Sequence, residues 1–155
     1  MANWTFHQGD LDSADVQALL AEHFAQARAI SPPEGCHVLP IGALRNPEMA
    51  FWSVRDEAGA LLGFGALKEL DPQHGEVKSM RTAPEALGCG VGGTTLRHIL
   101  SEAKQRGYRR VSLETGSTSE YAPAVRLYER HGFTRCDPFG DYRATPFNIF
   151  YTLAL

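Results

Sequence analysis

The segment with the clearest chemical signature is the glycine-rich run at residues 87–94, which holds four glycines within six consecutive positions. It lies between a predicted strand and a predicted helix, and the first turn of a helix offers unpaired N–H groups and a positive dipole end to phosphate. Glycine also lets the backbone approach a pyrophosphate without a clash from Cβ. The pattern therefore favours a phosphate-binding loop over a flexible turn, and the loop consists of Leu87, Gly88, Cys89, Gly90, Val91, Gly92, Gly93 and Thr94.

Two other classes of nucleotide-binding loop compete for this segment. Gly88, Gly90 and Gly93 satisfy the G-x-G-x-x-G spacing of dinucleotide-binding domains, and Glu114 follows after roughly 20 residues, as a ribose-binding acid would. However, the preceding strand is predicted to end near Thr82, too early for the tight turn of that motif, and too few βα units surround it. A P-loop is excluded because no Lys-Ser/Thr pair follows the glycines. A NAD(P)-binding oxidoreductase is thus a less favoured alternative.

The elements that must position this loop predict an α+β domain. Hydrophobic alternation and turn residues predict strands at residues 3–8, 51–55, 61–70, 76–82, 110–114 and 147–155. Apolar periodicity predicts helices at residues 13–30, 91–106 and 123–131, with a short helical stretch at 41–45. Antiparallel hairpins followed by a strand–loop–helix–strand unit predict one mostly antiparallel sheet with a parallel pair in its middle.

Alternation along the strand at 76–82 also predicts which of its side chains share a face. Side chains of a strand point to opposite faces in turn. One face would carry Glu76, Lys78 and Met80, and the other would carry Val77, Ser79 and Arg81.

Composition and charge exclude several function classes. The 155 residues suit a single domain, and the formal net charge of −3 marks neither a nucleic-acid binder nor an anionic-membrane binder. Cys36, Cys89 and Cys136 are odd in number and widely spaced, and the histidines show no ligand spacing, so neither a disulfide framework nor a metal site is expected. The N-terminus has no basic and apolar leader pattern, and no apolar run approaches transmembrane length, so we expect a cytoplasmic protein.

Two motifs at a characteristic spacing resemble the GCN5-related N-acetyltransferase (GNAT) superfamily. The loop at 87–92 is similar to its Q/R-x-x-G-x-G/A motif, and the run Ala124–Phe133, AVRLYERHGF, is similar to its A-x-x-L-Y-E-x-x-G-F motif. The resemblance is closer still to the YsnE-like branch, through residues 31–34, 51–53, 65–70, 76–82, 113–117 and 138–142, and so spans nearly the whole chain.

This resemblance implies a single GNAT domain over residues 1–155. The implied fold is a mixed, mostly antiparallel sheet of about six or seven strands flanked by about four helices. The implied activity is transfer of an acetyl group from acetyl-CoA to the amine of a small molecule, by direct attack in a ternary complex and without a metal. A homodimer is an expectation from the resemblance only. The alternative within the same fold is an acyl-CoA-binding module that has lost its chemistry.

The resemblance also implies roles for single residues. Tyr128 aligns with the tyrosine that acts as general acid toward the CoA thiolate, and Glu76 with the glutamate that serves as general base in several members. A splayed, bulged strand would present main-chain groups of Met80 and Thr82 to the pantetheine arm. Tyr121 stands where many members have a cofactor-contacting Asn, and would pack against the cofactor instead.

Three further charged residues are expected at the acceptor pocket. Glu114 ends a strand beside the cleft as a second base or an amine-binding acid, and Glu34 lies in a loop that often shapes the pocket. Lys78 could receive an acceptor carboxylate, and Arg81 is an alternative candidate for the same contact. One departure from the family pattern concerns the cofactor instead. Leu87 replaces the usual Gln or Arg, so the backbone amides of the loop are expected to hold the pyrophosphate.

Overall fold

The computed structural model describes residues 3–155 of the chain and builds them around one seven-stranded sheet, with strand order β1-β2-β3-β4-β5-β7-β6. The strands are β1 (Thr5–Gln8), β2 (Met49–Arg55), β3 (Leu61–Asp71), β4 (His74–Thr82), β5 (Arg110–Gly116), β6 (Thr134–Arg135) and β7 (Asn148–Ala154). The helices in the same residues are α1 (Ala14–Ile30), α2 (Val91–Gln105) and α3 (Ala122–Arg130), with short 3-10 turns between elements.

The helices cover both faces of the sheet. On one face, Val16, Leu19 and Leu20 of α1 pack in a cluster with Phe64 of β3. On the other face, α2 and α3 contribute Leu96, Ile99 and Tyr128 to a cluster with Leu113 of β5. Burial of apolar side chains on both faces is the main force that fixes the helices against the sheet. The junction between the neighbouring strands β4 and β5 therefore lies between two helical layers.

The predicted fold class is confirmed. The sheet is mixed and mostly antiparallel, with seven strands, and three α-helices occur in residues 3–155 against about four expected. The two-residue strand β6 was not predicted, because so short a segment shows no alternation. The dinucleotide-binding alternative is wrong in fold, since β4 and β5 form the one parallel pair in the described sheet, whereas that domain needs several βα units.

The parallel pair separates soon after it begins. Pairing runs from His74 with Arg110 to Glu76 with Ser112, and the described ladder stops there although both strands continue. The expected splay between these strands is therefore present. It opens a gap in the middle of the sheet, directly beyond Glu76.

A bulge in β4 changes which way its second half faces. Ser79 and Met80 lie opposite the single residue Gly65 of β3, and Ser79 has a positive φ of 52°. The extra residue reverses the alternation beyond it. The predicted faces are consequently wrong for two residues: Met80 packs with the α2–α3 cluster, and Arg81 donates a hydrogen bond to Gln26 of α1.

Candidate active site

The gap between β4 and β5 opens into a cavity of about 160 Å³. Its floor is the splayed pair of strands, and its walls come from the end of α1, the following loop and α3. Six of the residues singled out from the sequence line this one cavity, although they are distant along the chain. They are Glu76, Lys78, Met80, Glu114, Tyr121 and Tyr128.

Glu76 is buried in a polar cluster at the bottom of the gap, with 2% of its surface exposed. Its Oε2 atom accepts a hydrogen bond from the Tyr142 hydroxyl at 2.5 Å and lies 3.4 Å from Nζ of Lys78. The same Nζ donates to the Tyr142 hydroxyl at 2.7 Å. Burying a carboxylate is costly unless it is paired and hydrogen-bonded, and both conditions are met here. Glu76 is therefore a buried, hydrogen-bonded residue and not a solvated strand-end residue.

Glu114 lies on the other side of the gap in a different environment. Its Oε2 atom accepts a hydrogen bond from Nδ2 of Asn148 and lies 3.6 Å from Nδ1 of His37. The Asn148 amide also donates to the carbonyl of Gly35 at 2.8 Å, so its orientation is fixed by the loop after α1. Burial raises the pKa of Glu114, and the hydrogen bond from Asn148 opposes that rise. The carboxyl is thus poised to exchange a proton nearer neutrality than an exposed glutamate.

Tyr128 lies where the first cavity meets a second groove. It is 9% exposed and lines both spaces, together with Met80 and Ala124. Burial and the nearby charge of Glu114 raise the pKa of Tyr128 to about 12, so its hydroxyl keeps its proton at neutral pH. The hydroxyl has no hydrogen-bond partner within residues 3–155, which leaves it free to donate to a ligand.

The second groove, of about 200 Å³, runs from Tyr128 toward the glycine loop. Thr82 of β4, Gly92 of α2 and Leu127 of α3 line it. A Cβ atom on Gly92 would lie 3.3 Å from Cδ2 of Leu127, so a larger residue would narrow the groove. The groove therefore lies between β4 and α3 and reaches the start of α2.

The glycine loop turns the chain sharply into α2. Gly88 and Gly90 have positive φ values of 79° and 88°, a conformation that favours glycine. The first described bond of the helix runs from the Thr94 N–H to the Gly90 carbonyl at 3.1 Å, which leaves the amides of Val91 to Gly93 without a partner in the described chain. Free amides in the first turn of a helix can hold a phosphate group, which is the role predicted for this loop.

The remaining members of the loop contribute little through their side chains. Leu87 is 68% exposed and belongs to none of the hydrophobic clusters of the described residues. The thiol of Cys89 donates weakly to the Leu87 carbonyl at 3.8 Å, within the loop itself. Thr94 accepts a hydrogen bond from Arg97 one turn further along α2. Binding of the pyrophosphate by the backbone amides of the loop stays a prediction.

Tyr121 lines the cavity between β4 and β5 and does not line the groove. Its hydroxyl shares a hydrogen bond of 2.5 Å with Oγ of Ser31, and its ring covers Gly116 so closely that a Cβ atom there would overlap the ring. The side chain therefore closes the cavity between the end of β5 and the end of α1. The side chain of Glu34 lies outside the described residues, so its expected role at the acceptor pocket stays a prediction.

Sequence reasoning missed three residues of this site. Tyr142, Asn148 and His37 reach the two carboxylates from loops and strands far along the chain. Tyr142 belongs to a stretch that carries the family resemblance, at residues 138–142, and this was a signal for its importance. Asn148 and His37 had no such signal, because only the folded chain brings them to Glu114.

Neither a cluster of metal-ligating side chains nor a membrane-spanning helix occurs among the described residues. Within residues 3–155, no group of three or more His, Cys, Asp or Glu side chains is arranged to hold a metal ion. In the same part of the chain, no helix combines the length and apolar character needed to span a bilayer.

Comparison with known proteins identifies the family. The model of the acetyltransferase (GNAT) family matches residues 15–133. The uncharacterized N-acetyltransferase YsnE of Bacillus subtilis is 49% identical over 146 residues, which cover 94% of this chain and 96% of that protein. The uncharacterized N-acetyltransferase YedL of Escherichia coli is 48% identical over 152 residues, which cover 98% of this chain and 95% of that protein.

Solved structures agree on the fold. A Klebsiella pneumoniae protein assigned to the acyl-CoA N-acyltransferases has a TM-score of 0.80 at 24% identity, covering 100% of this chain and 99% of that one. A GNAT acetyltransferase of Elizabethkingia anophelis with acetyl-CoA bound has a TM-score of 0.67 at 18% identity, and each chain is covered completely, 100%. The chain therefore belongs to the acetyltransferase (GNAT) family and is an N-acetyltransferase that uses acetyl-CoA as its cosubstrate.

Proposed function

We propose that the acetyl acceptor is the amine of a small molecule, bound in the cavity between β4 and β5. The observation that carries this proposal is the meeting of cavity and groove at Tyr128, with Glu114 facing the same space. The cavity, at about 160 Å³, is small beside the roughly 300–1,000 Å³ of drug-sized ligand pockets. This space therefore suits the amine end of the acceptor, whose remaining atoms would lie in the neighbouring cleft.

Glu114 is the better fitted of the two carboxylates to accept a proton from the amine. An amine arrives largely as an ammonium ion, and its lone pair is available only after one proton has left. The raised pKa of Glu114 makes it a stronger base than an exposed glutamate, and Asn148 fixes its orientation. The ammonium would give its proton to Glu114, and the free amine would then attack the thioester carbon.

Tyr128 would act on the leaving sulfur. As the nitrogen–carbon bond forms and the carbon–sulfur bond breaks, the sulfur departs as a thiolate. The second proton of the nitrogen would pass to that thiolate through the Tyr128 hydroxyl, so that CoA leaves as a thiol, and Glu114 would later release the first proton to solvent. The protonated hydroxyl of Tyr128 can donate a hydrogen bond to that thiolate. The bulge at Ser79 and Met80 would offer main-chain groups to the thioester end of the pantetheine arm, since one bulge residue is left out of the ladder.

Glu76 and Lys78 have a second use in this scheme. Their contacts with Tyr142 hold a negative and a positive charge beside the reacting amine. Preorganised charges of this kind stabilise developing charge without reorganisation during the reaction. The expected role of Glu76 as general base stays a prediction. The pH dependence of kcat/KM in variants of Glu76 and Glu114 shows which of the two carboxylates is the base.

The rest of the acceptor would extend into a neighbouring cleft of about 800 Å³. This cleft shares His37, Val38, Glu76 and Lys78 with the cavity, and is lined further out by Lys68, Asp141 and Arg143. Lys78 stays the candidate for an acceptor carboxylate. Charges of both signs at the cleft suit a zwitterionic or polar molecule.

Three expectations from the sequence stay predictions. They are the cytoplasmic location, the homodimer and a contact between Tyr121 and the cofactor.

The experiment that tests this proposal measures CoA release with acetyl-CoA and a panel of small amines, amino acids and short peptides, followed by mass spectrometry of the products. We expect N-acetylated small amines, with rates that saturate in both substrates. Turnover confined to peptides would overturn the small-molecule acceptor. Tight acetyl-CoA binding without turnover over the whole panel would favour a binding module that has lost its chemistry.

A further inference from the structure

The glycine loop lacks the positive or polar side chain that its motif usually supplies. Leu87 occupies that position and is 68% exposed. Backbone amides alone would then face the phosphates of acetyl-CoA, which carry several negative charges. A cation from elsewhere in the chain would strengthen binding substantially, because charge-assisted hydrogen bonds are about twice as strong as neutral ones.

Arg97 is placed to be that cation. It lies on the second turn of α2, and its Nη2 atom donates to Oγ1 of Thr94 at 3.2 Å. A Cβ atom built on Gly93 would lie 3.2 Å from its Nη1 atom. The guanidinium group therefore folds back over the first turn of its own helix, where the amides of the glycine loop are free.

His131 holds this guanidinium from the neighbouring helix. Its Nδ1 atom lies 2.8 Å from the carbonyl of Leu127, and a carbonyl only accepts, so Nδ1 carries the hydrogen. In the neutral ring the Nε2 atom is then an acceptor, and Nη1 of Arg97 lies 3.3 Å from it. The end of α3 thus orients the side chain of α2.

The guanidinium retains donors for a ligand. It has five N–H groups, of which these two contacts use two. Among the ion pairs of residues 3–155, none involves Arg97, so its charge is not neutralised by a described carboxylate. An oriented and uncompensated cation beside free helix amides is the arrangement that phosphate recognition requires.

We propose that Arg97, held in place by His131, binds a phosphate group of acetyl-CoA and replaces the side chain that Leu87 does not provide. The inference rests on the use of acetyl-CoA by this chain, and it concerns how the molecule is held. It does not depend on which acceptor the enzyme acetylates.

Isothermal titration of CoA into the purified protein tests the proposal without any acceptor. We expect Arg97→Ala to raise the Kd for CoA by about tenfold or more, from the loss of charge-assisted hydrogen bonds. Lys104→Ala, an exposed change at the far end of the same helix, is the matched control and should leave the Kd unchanged. Weaker dependence of the Kd on salt should accompany the loss in the Arg97 variant.

A compensating change makes the test sharper. Leu87→Arg restores the usual residue of the motif, and the double variant Leu87→Arg/Arg97→Ala should recover most of the lost affinity. Titration with 3′-dephospho-CoA locates the contact. A loss that disappears with this ligand assigns Arg97 to the 3′-phosphate, and a loss that persists assigns it to the pyrophosphate.

The opposite outcome is equally clear. If Arg97→Ala binds CoA as tightly as the wild-type protein, at low and at high salt, Arg97 does not contact a phosphate. Tight binding by the wild-type protein in that experiment would leave the groove and the proposed acetyl transfer intact. Failure of this inference is therefore distinguishable from failure of the proposed function.

Discussion

The hydroxyl of Tyr142 donates a hydrogen bond to Oε2 of Glu76 at 2.5 Å and accepts one from Nζ of Lys78 at 2.7 Å. Along the chain, Tyr142 is 66 residues from Glu76 and 64 residues from Lys78. Burial and the neighbouring carboxylate of Glu76 raise the pKa of Tyr142, so the phenol keeps its proton and its role as donor. The segment that carries Tyr142 therefore completes the charge arrangement of the active site.

Replacing Tyr142 should impair catalysis more than folding. In Tyr142→Phe, Glu76 and Lys78 lose their common partner, and a hydrogen bond to a charged group contributes about 1.5–3 kcal/mol. We expect kcat/KM to fall by roughly tenfold to a hundredfold. Tyr151→Phe is the matched control, because its hydroxyl bonds Glu129 away from the cavity. Equal kinetics in the two variants would contradict this role for Tyr142.

Tyr128→Phe should lower kcat and leave acetyl-CoA binding nearly unchanged. The change removes the hydroxyl that faces both spaces but keeps the buried ring in its cluster. Loss of a proton donor to the leaving group costs about 10²- to 10⁴-fold in rate. Steady-state kinetics and titration calorimetry measure the two effects. The control is Tyr108→Phe, whose hydroxyl bonds Glu69. Unchanged turnover would remove Tyr128 from the chemistry.

The pH dependence of kcat/KM should identify the proton acceptor. If Glu114 must be ionised, activity falls as the pH drops through its pKa, and burial places that fall above the ordinary range of a glutamate. Glu114→Gln should abolish this acidic limb together with most activity. Glu76→Gln should lower activity but keep the limb at its original pH.

Asn148→Ala should move the acidic limb of the pH profile in a direction set by its hydrogen bond to Glu114. The Asn148 amide donates to the ionised form of Glu114 and so lowers its pKa. Without that donor the pKa rises further, and the acidic limb of the profile should move to higher pH. An exposed change, Asn46→Ala, should leave the profile in place. If the acidic limb stays at the same pH in Asn148→Ala, or is lost in Glu76→Gln, Glu114 is not the base.

Gly90→Ala should weaken acetyl-CoA binding through the backbone. The residue has a φ of 88° and open space where a Cβ atom would lie, so strain, and not a clash, opposes the change. A left-handed conformation costs a non-glycine residue about 1–2 kcal/mol. Gly59→Ala has a similar φ of 85° and equally open space, in a hairpin turn. Urea unfolding should show similar losses in both variants, whereas calorimetry should show weaker acetyl-CoA binding only in Gly90→Ala.

Stability should decline below neutral pH because of His23. Burial and the charge of Arg81 lower its pKa from 6.5 to about 4. The unfolded chain therefore binds a proton that the folded chain resists, so this contribution is complete above pH 6.5 and is lost as the pH falls to about 4. The loss is on the order of a few kcal/mol. Thermal unfolding of His23→Gln should depend less on pH over this interval than that of the exposed control His7→Gln.

Local patterns determined the elements and the cofactor loop. Alternation and periodicity placed six of the seven strands and all three α-helices within residues 3–155, because each pattern reflects which face of an element is buried. The glycine loop was recognisable for a related reason, since its positive φ values at Gly88 and Gly90 depend on residues adjacent in sequence. The family followed from two such local motifs at a fixed spacing.

The direction of Met80 and the environments of Glu76 and Glu114 were decided by the tertiary structure alone. A one-residue bulge reverses the alternation of side chains between the two faces of the sheet, and the amino-acid composition does not predict it. The pKa of a carboxyl depends on desolvation and on groups within a few ångströms, and Tyr142 and Asn148 reach that range only after the chain has folded. The sequence by itself thus specified the type of enzyme, and folding assigned distinct environments to its two acids, because electrostatic interactions follow distance in space and not separation along the chain.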